Sequence, residues 1–248
     1  MTVAVAGEAL PFLFDSGGGF TLITPDVAKT LGCEPFGRLT GFRAVGERVD
    51  ARRCDNVDLR VGGLQLGPEV GVYDLMALLP AGVSRLGGLV GLDAFQNRVL
   101  TIDLGSNHLV LETDRSLAER TRTLHPMQMR LSRQAGGASV DVFVGVRAQR
   151  GTLWLELDTG NMGPVMLAPH AREQLGLPPA ASDVEARAAQ PVSLDIVGVG
   201  PTELPAVTRD VIYDGVLNAE FVEGTLLTLD LRTGRMWGAR RAAAHPAR

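Results

Sequence analysis

Residues that bind metals are scarce in this chain. It has two cysteines and four histidines in 248 residues. His108, His125, His170 and His245 are dispersed and share no spacing with a nucleophile or a metal partner. A structural zinc site needs four ligands, so no metal is expected, nor any other cofactor. Cys33 and Cys54 read first as two separate, buried or half-buried thiols. The alternative is one disulfide within the first half, which would suggest an oxidising compartment. No apolar run is long enough to span a bilayer, and the N-terminus lacks the basic start and apolar stretch of a signal peptide. The chain therefore reads as soluble and unexported, with no membrane span; its sequence does not specify a compartment. Net charge is −4 and the arginines are scattered, so nothing favours nucleic acid or an anionic membrane. The one dense basic cluster, Arg240-Arg241, lies in a tail from Ala239 to Arg248 that has no apolar period to bury and is expected to be disordered. No glycine-rich loop opens a helix with Lys-Ser/Thr, so phosphate binding has no support.

What the chain does have is an internal repeat. Gly88-Leu-Val-Gly-Leu-Asp93 through Asp103-Leu104 aligns without a gap on Gly215-Val-Leu-Asn-Ala-Glu220 through Asp230-Leu231. Upstream, Phe12-Leu-Phe-Asp15-Ser16-Gly17 matches Leu155-Glu-Leu-Asp158-Thr159-Gly160. The second half is shorter between its aspartate and its closing motif. Each half reads mostly as strands. Thr2 to Ala6, a Gly7-Glu8 turn and Leu10 to Phe14 form one expected hairpin, and Val57 to Val61, Gly62-Gly63 and Leu64 to Leu66 another. Val192 to Val197, with Gly198 and Gly200, is expected in the similar place of the second half. Thr24 caps a short helix with Pro25 at its first position and Gly32 as its stop, and Pro169 to Leu175, closed by Gly176, repeats the arrangement. Glu112 to Pro126 is polar and charged and reads as the link. The expected fold is mainly β, with two similar lobes of closed or sandwiched sheets and short helices. Residues 1–114 form the first lobe, 126–238 the second, and 239–248 the tail.

Asp-Ser/Thr-Gly alone is weakly specific, since an aspartate in such a turn commonly caps backbone N–H groups. Two copies at equivalent repeat positions point to a paired carboxylate site. Hydrolysing an amide without a metal or a nucleophilic side chain requires an activated water. One carboxylate takes its proton while a carboxylic acid polarises the carbonyl. Two carboxyls about 3 Å apart cannot both ionise, so they share one proton. Glycine lets the backbone approach a carboxylate closely, and Ser16 and Thr159 can donate hydrogen bonds that fix the loops.

These residues resemble the retropepsin/pepsin clan of aspartic peptidases, and most of all bacterial retropepsin-like proteins with two fused lobes. The likeness rests on Phe12 to Pro25 with Leu89-Val90-Gly91, and Leu155 to Pro169 with Val216-Leu217-Asn218, and runs from Thr2 to about Gly238. It implies a catalytic pair, Asp15 and Asp158, supported by Ser16, Gly17, Thr159 and Gly160. It also implies closing segments, Leu89-Val90-Gly91 and Val216-Leu217-Asn218, beneath the two loops. Both aspartates lie in one polypeptide, so a monomer is plausible. The clan further implies a flap, and Thr40 to Val49 fits it, with Gly41, Phe42, Arg43, Ala44, Val45 and Gly46 at the tip and Phe42 and Val45 placed to touch substrate. Pro178 to Gln190 lacks the matching hairpin pattern, so one flap is expected. Asn218 stands where the clan has glycine, beside the Asp158 loop. The turns Gly18-Gly19-Phe20 and Asn161-Met162-Gly163-Pro164 also depart from the clan. Asp93 and Glu220 read as structural, and Asp103 and Asp230 as turn residues. The expected function is an aspartic endopeptidase acting on a peptide or protein substrate with apolar residues beside the scissile bond. The alternative is a catalytically weak or inactive peptide-binding protein on the same scaffold.

Overall fold

The computed structural model describes residues 1–67, 69–79, 82–179 and 182–241. It divides into two compact units. The first comprises Met1–Gln96, Ser132–Val142 and Asp158–Gly160; the second comprises the remaining segments.

In the first unit the chain opens as β1 (Thr2–Val5) and β2 (Glu8–Phe14), an antiparallel hairpin that turns at Ala6 and Gly7, both at positive φ. β3 (Leu22–Ile23) leads into α1 (Pro25–Thr30), whose N-cap Thr24 accepts from the Val27 N–H at 3.4 Å. Its stop, Gly32, sits at φ 66°. β4 (Phe36–Phe42) and β5 (Arg48–Asp55) form a hairpin. β6 (Leu59–Val61), β7 (Leu64–Gln65), β8 (Glu69–Val72) and β9 (Gly88–Val90) complete a nine-stranded sheet in the order β4-β5-β8-β3-β9-β2-β1-β6-β7. β9 runs parallel to β2, pairing Phe12 with Gly88 and Phe14 with Val90. It fits there because Gly88 has no side chain. A Cβ on it would strike Phe12 Cε1 at 2.5 Å and overlap the Leu22 carbonyl. Phe12, Phe14, Ile23 and Val90 are buried around this crossing. Cys33 and Cys54 are joined in a disulfide, with Cα atoms 6.1 Å apart. The reading as two separate thiols is therefore corrected. The spacing of two cysteines along the chain does not reveal that the residues just past α1 return to β5.

In the second unit, β10 (Val99–Asp103), β11 (His108–Glu112), α2 (Asp114–Arg120) and β12 (His125–Met127) come first. The stretch read as a plain link thus holds a helix, started by a capping box in which Thr113 and Ser116 bind each other's N–H groups. β13 (Met129–Ser132), β14 (Asp141–Ala148), β15 (Gly151–Leu157), β16 (Val165–Leu167), α3 (Pro169–Gln174), α4 (Asp183–Arg187), β17 (Gln190–Ile196), β18 (Gly200–Thr208), β19 (Gly215–Leu217), α5 (Ala219–Glu223), β20 (Thr225–Asp230) and β21 (Arg235–Arg240) follow. β21 carries Ala239 and Arg240 into a strand against β20, correcting the start of the disordered tail. Residues 242–248 of that tail lie outside the described residues.

One sheet of this unit runs β11-β10-β20-β21-β12. In it Thr101 stands opposite Thr228, their hydroxyl oxygens 2.8 Å apart and buried. The other runs β13-β14-β15-β19-β16-β18-β17, and β17 also pairs with β14, which closes a ring. Within it, β15-β19-β16-β18-β17 has the order and strand directions of β2-β9-β3-β8-β5 in the first unit. Gly215 takes the role of Gly88, since a Cβ there would meet the Met166 carbonyl at 2.5 Å. The β17–β18 hairpin therefore corresponds to β5 and β8. The expectation that it matches the Gly62-Gly63 hairpin is corrected, because β6 and β7 are inserted between β5 and β8.

Candidate active site

β2 ends at Phe14, and its last turns deliver Asp15 over the parallel strand β9. The Asp15 N–H donates to the Val90 carbonyl at 3.1 Å. The loop then folds back, and the Gly17 and Gly18 N–H groups donate to Asp15 Oδ1 at 3.1 and 2.9 Å. Asp158 follows β15 in the same manner, accepting at Oδ1 from the Gly160 N–H at 2.8 Å. Asp158, Thr159 and Gly160 pack as part of the first unit.

The two carboxyls are hydrogen-bonded to each other, and the Gly160 N–H also reaches Asp15. Each loop's glycine lies against the opposite carboxyl. A Cβ on Gly17 would stand 2.5 Å from Asp158 Cγ, and one on Gly160 would stand 2.7 Å from Asp15 Oδ2. Behind them, the Ser16 N–H donates to Thr159 Oγ1 and the Thr159 N–H donates to Ser16 Oγ, both at 3.0 Å. Thr159 Oγ1 also donates to the Phe14 carbonyl at 3.0 Å. Ser16 and Thr159 are buried, while both aspartates remain half-buried. Burial pushes the Asp15 carboxyl up from its usual range, against the lowering effect of the bonds from Asp158, Gly17, Gly18 and Gly160.

The closing segments differ in how they are tied. In the first unit Leu89 packs beside Gly18. The Gly91 N–H donates to Thr21 Oγ1 at 3.2 Å, and the Thr21 hydroxyl donates to Asp93 Oδ1 at 2.8 Å. In the second, Leu157 pairs with Leu217 and Glu156 with Val216. Asn218 sits in ordinary extended backbone (φ −111°, ψ 174°) and is buried. Its Oδ1 accepts from the Phe221 N–H at 3.2 Å and its Nδ2 donates to the Gly163 carbonyl at 2.9 Å. Asn218 thus caps α5 and ties down the turn after Asp158, the work that Thr21 does for Gly91.

The stretch Thr40–Val49 is the end of the β4–β5 hairpin. Arg43 and Glu47 close it by a backbone bond at 2.8 Å and an ion pair at 2.9 Å, with Gly46 at φ 79°. Leu39 and Ala51 bury one face against Phe20. Gly41 and Val49 continue that face, by strand alternation, while Phe42 and Arg48 share the other. Phe42 and Val45 are exposed. Before β17, where Pro178 to Gln190 was expected to lack a hairpin, the described residues form α4; Ala180 and Ala181 lie outside them.

Two residues of this neighbourhood have no place in the motif. Thr21 bridges Gly91 and Asp93. Asp141 packs its Oδ1 against Gly19 and is buried. The available signal for Asp141 was an acidic residue opening the apolar run Val142 to Val146. Among the described residues no group of three or more His, Cys, Asp or Glu side chains is arranged to hold a metal. No helix there is long and apolar enough to cross a membrane.

Residues 1–94, from β1 through the Asp15 loop to the closing segment, match the model of the aspartyl protease family. That likeness covers 94 of the 248 residues. No curated protein matches the chain in sequence. Among solved structures, conglutin gamma, a basic 7S globulin from lupine seeds, aligns with a TM-score of 0.55 at 13% identity, covering 97% of this chain and 90% of its own. At that identity the likeness concerns the fold. The expected fold class holds: mainly β with short helices, of the acid-protease kind.

Proposed function

We propose that the protein is an aspartic endopeptidase in which Asp15 and Asp158 share one proton and activate a water molecule between them. The observation that carries this reading is the mutual hydrogen bond of the two carboxyls, each cradled by its own loop's N–H groups and pressed by the other loop's glycine. In such a pair the ionised carboxylate takes a proton from water as the oxygen attacks the scissile carbonyl. The protonated carboxyl gives its proton to the developing oxyanion. When the tetrahedral intermediate collapses, the amine leaves with a proton returned by the pair. Ser16 and Thr159 keep the loops in register, and the β4–β5 hairpin is the flap that covers substrate. The sequence repeat supports treating Asp158 as the partner of Asp15.

Asn218 motivated the alternative of an inactive peptide-binding protein. Its ordinary backbone and its two engaged polar ends weaken that motive. Digestion of a peptide library from pH 3 to 8 tests the proposal. Cleavage beside apolar residues, lost in both Asp15→Asn and Asp158→Asn, is the expected result. Hydrolysis that survives Asp15→Asn overturns it. Tight binding of a statine-type mimic without any cleavage would return the alternative.

A further inference from the structure

Asp141 is a buried acid that the proposed chemistry leaves unused. The segment Ser132–Val142 packs with the first unit, and the Val140 N–H donates to the Gly19 carbonyl at 2.8 Å. Gly19 is in the left-handed region, φ 62°, and a Cβ there would overlap Asp141 Oδ1. The loop of Asp15 is therefore held at its turn from two sides, by a backbone bond and by a carboxyl packed on a bare α-carbon. One residue earlier, the Gly18 N–H binds Asp15 Oδ1. Any movement of Gly19 is passed to a donor that holds the proposed catalytic carboxylate.

The surroundings of Asp141 suit a neutral acid. Its Oδ2 accepts from Ser139 Oγ and from Gln134 Nε2, both at 3.3 Å. Gly19 faces it from the Asp15 loop. None of these partners carries a charge. The neighbouring Arg133 spends a guanidinium N–H on Gln96 at 3.1 Å. Asp93, a buried acid in the turn after β9, is bound to Thr21. Burial pushes the Asp141 carboxyl up to about 6, against the lowering effect of Ser139 and Gln134. An unpaired charge in such a place is expensive, and the chain relieves the cost by moving or by staying protonated.

We propose that Asp141 is a positioning residue: in its neutral form it seats the turn at Gly19, and its ionisation unseats that turn and ends activity on the basic side. The effect on activity rests on the dyad reading; the seating of the turn does not. The proton is lost to solvent, the carboxylate moves off the Gly19 α-carbon, and the Gly17 and Gly18 N–H groups lose their aim at Asp15.

Two readouts separate the claims. In the whole protein, the backbone amides of Gly19 and Val140 are followed by NMR from pH 4 to 8, apart from those of Gly17 and Gly18, which bond Asp15 and report its own titration. A shared inflection near pH 6 is expected in wild type and is absent in Asp141→Asn. The titration of Asp93 is read separately at the Gly91 amide. In peptide hydrolysis, Asp141→Asn moves the basic limb of kcat/KM upward by about half a pH unit or more, because the amide stays neutral. A purely structural role would lower the amplitude without moving the limb. The proposal is overturned if the Gly19 and Val140 inflection persists in Asp141→Asn, or if the limb stays put or moves down. If wild type hydrolyses nothing, the dyad reading fails, while the amide titration still decides the seating of the turn. Should Asp141→Asn not fold, Ser139→Ala keeps the carboxyl but removes a donor to its charged form, so the inflection moves up. An unmoved inflection counts against the proposal.

Discussion

Ser16 and Thr159 hold each other by mirrored hydrogen bonds, each backbone N–H donating to the other's hydroxyl oxygen at 3.0 Å. Both residues are buried, so neither N–H has water to fall back on. Thr159→Val keeps the shape but leaves the Ser16 N–H without its acceptor, at a cost of about 1–3 kcal/mol. Thr159→Ser keeps the oxygen and costs less. Chemical denaturation of the two variants side by side tests this; equal stability would mean the hydroxyl contributes nothing.

Gly17 and Gly160 have no room for a methyl group. Gly17→Ala drives a Cβ into the Asp158 carboxyl and Gly160→Ala into that of Asp15. Each should lose about 1–3 kcal/mol of stability, as overpacking does, and most of any hydrolytic activity. Gly41→Ala, where a Cβ meets nothing within 4 Å, is the control and should leave stability near wild type.

The two Asp-Ser/Thr-Gly loops, the helices α1 and α3 and the hairpin at Thr40–Val49 were legible because each is written locally. Turn glycines, a proline at a helix start and β-rich runs carry their own signal. What was not legible depends on chain return. Cys33 and Cys54 meet because the segment past α1 lies beside β5, and no local pattern says so. Asn218 looked like a defect when set against glycine; its cap on α5 through Phe221 is local, but its second partner, Gly163, lies 55 residues back in sequence. Asp141 was hidden for the same reason, since its contact with Gly19 crosses most of the first half of the chain.

Replacing Asn218 by glycine, the residue of the first repeat, should therefore destabilise the protein. The variant loses the cap on α5 and the bond to the Gly163 carbonyl, together about 1–2 kcal/mol. Thermal unfolding of Asn218→Gly tests it; a gain in stability would restore the view of Asn218 as a strained departure.

Asp93 and Asp141 make stability depend on pH. Burial raises both carboxyls to about 6, against the lowering effect of their hydrogen bonds, foremost from Thr21 and Ser139 respectively. A raised folded-state value means the folded chain holds its proton more tightly than the unfolded one. The groups impose no penalty below the ordinary value of 3.8. Stability then falls as pH rises from 3.8 to about 6, by at most about 3 kcal/mol per group, and stays lower above that. Asp15, also raised by burial, acts in the same direction. Denaturant midpoints at pH 4.5 and 7 should show lower stability at pH 7, with a smaller difference in Asp93→Asn. A difference of the opposite sign refutes the assignment.

The Cys33–Cys54 bond clamps β5 one residue before its end, while Arg43–Glu47 closes the far tip of the same hairpin. Behind the clamp, Arg52 to Asp55 are paired with β8 and Ala51 is buried against Phe20. From Ala51 to Glu47 the hairpin extends roughly 13 Å, at about 3.3 Å per residue. Such an arm is a lever fixed at its root. A rotation of about 5° beyond Ala51 would carry the tip about 1 Å at that arm length, so Ala44 and Val45 can sweep while Arg52 to Asp55 stay paired with β8. The β8 ladder and the Phe20 packing set where the hairpin bends, and the covalent bond pins the strand behind them.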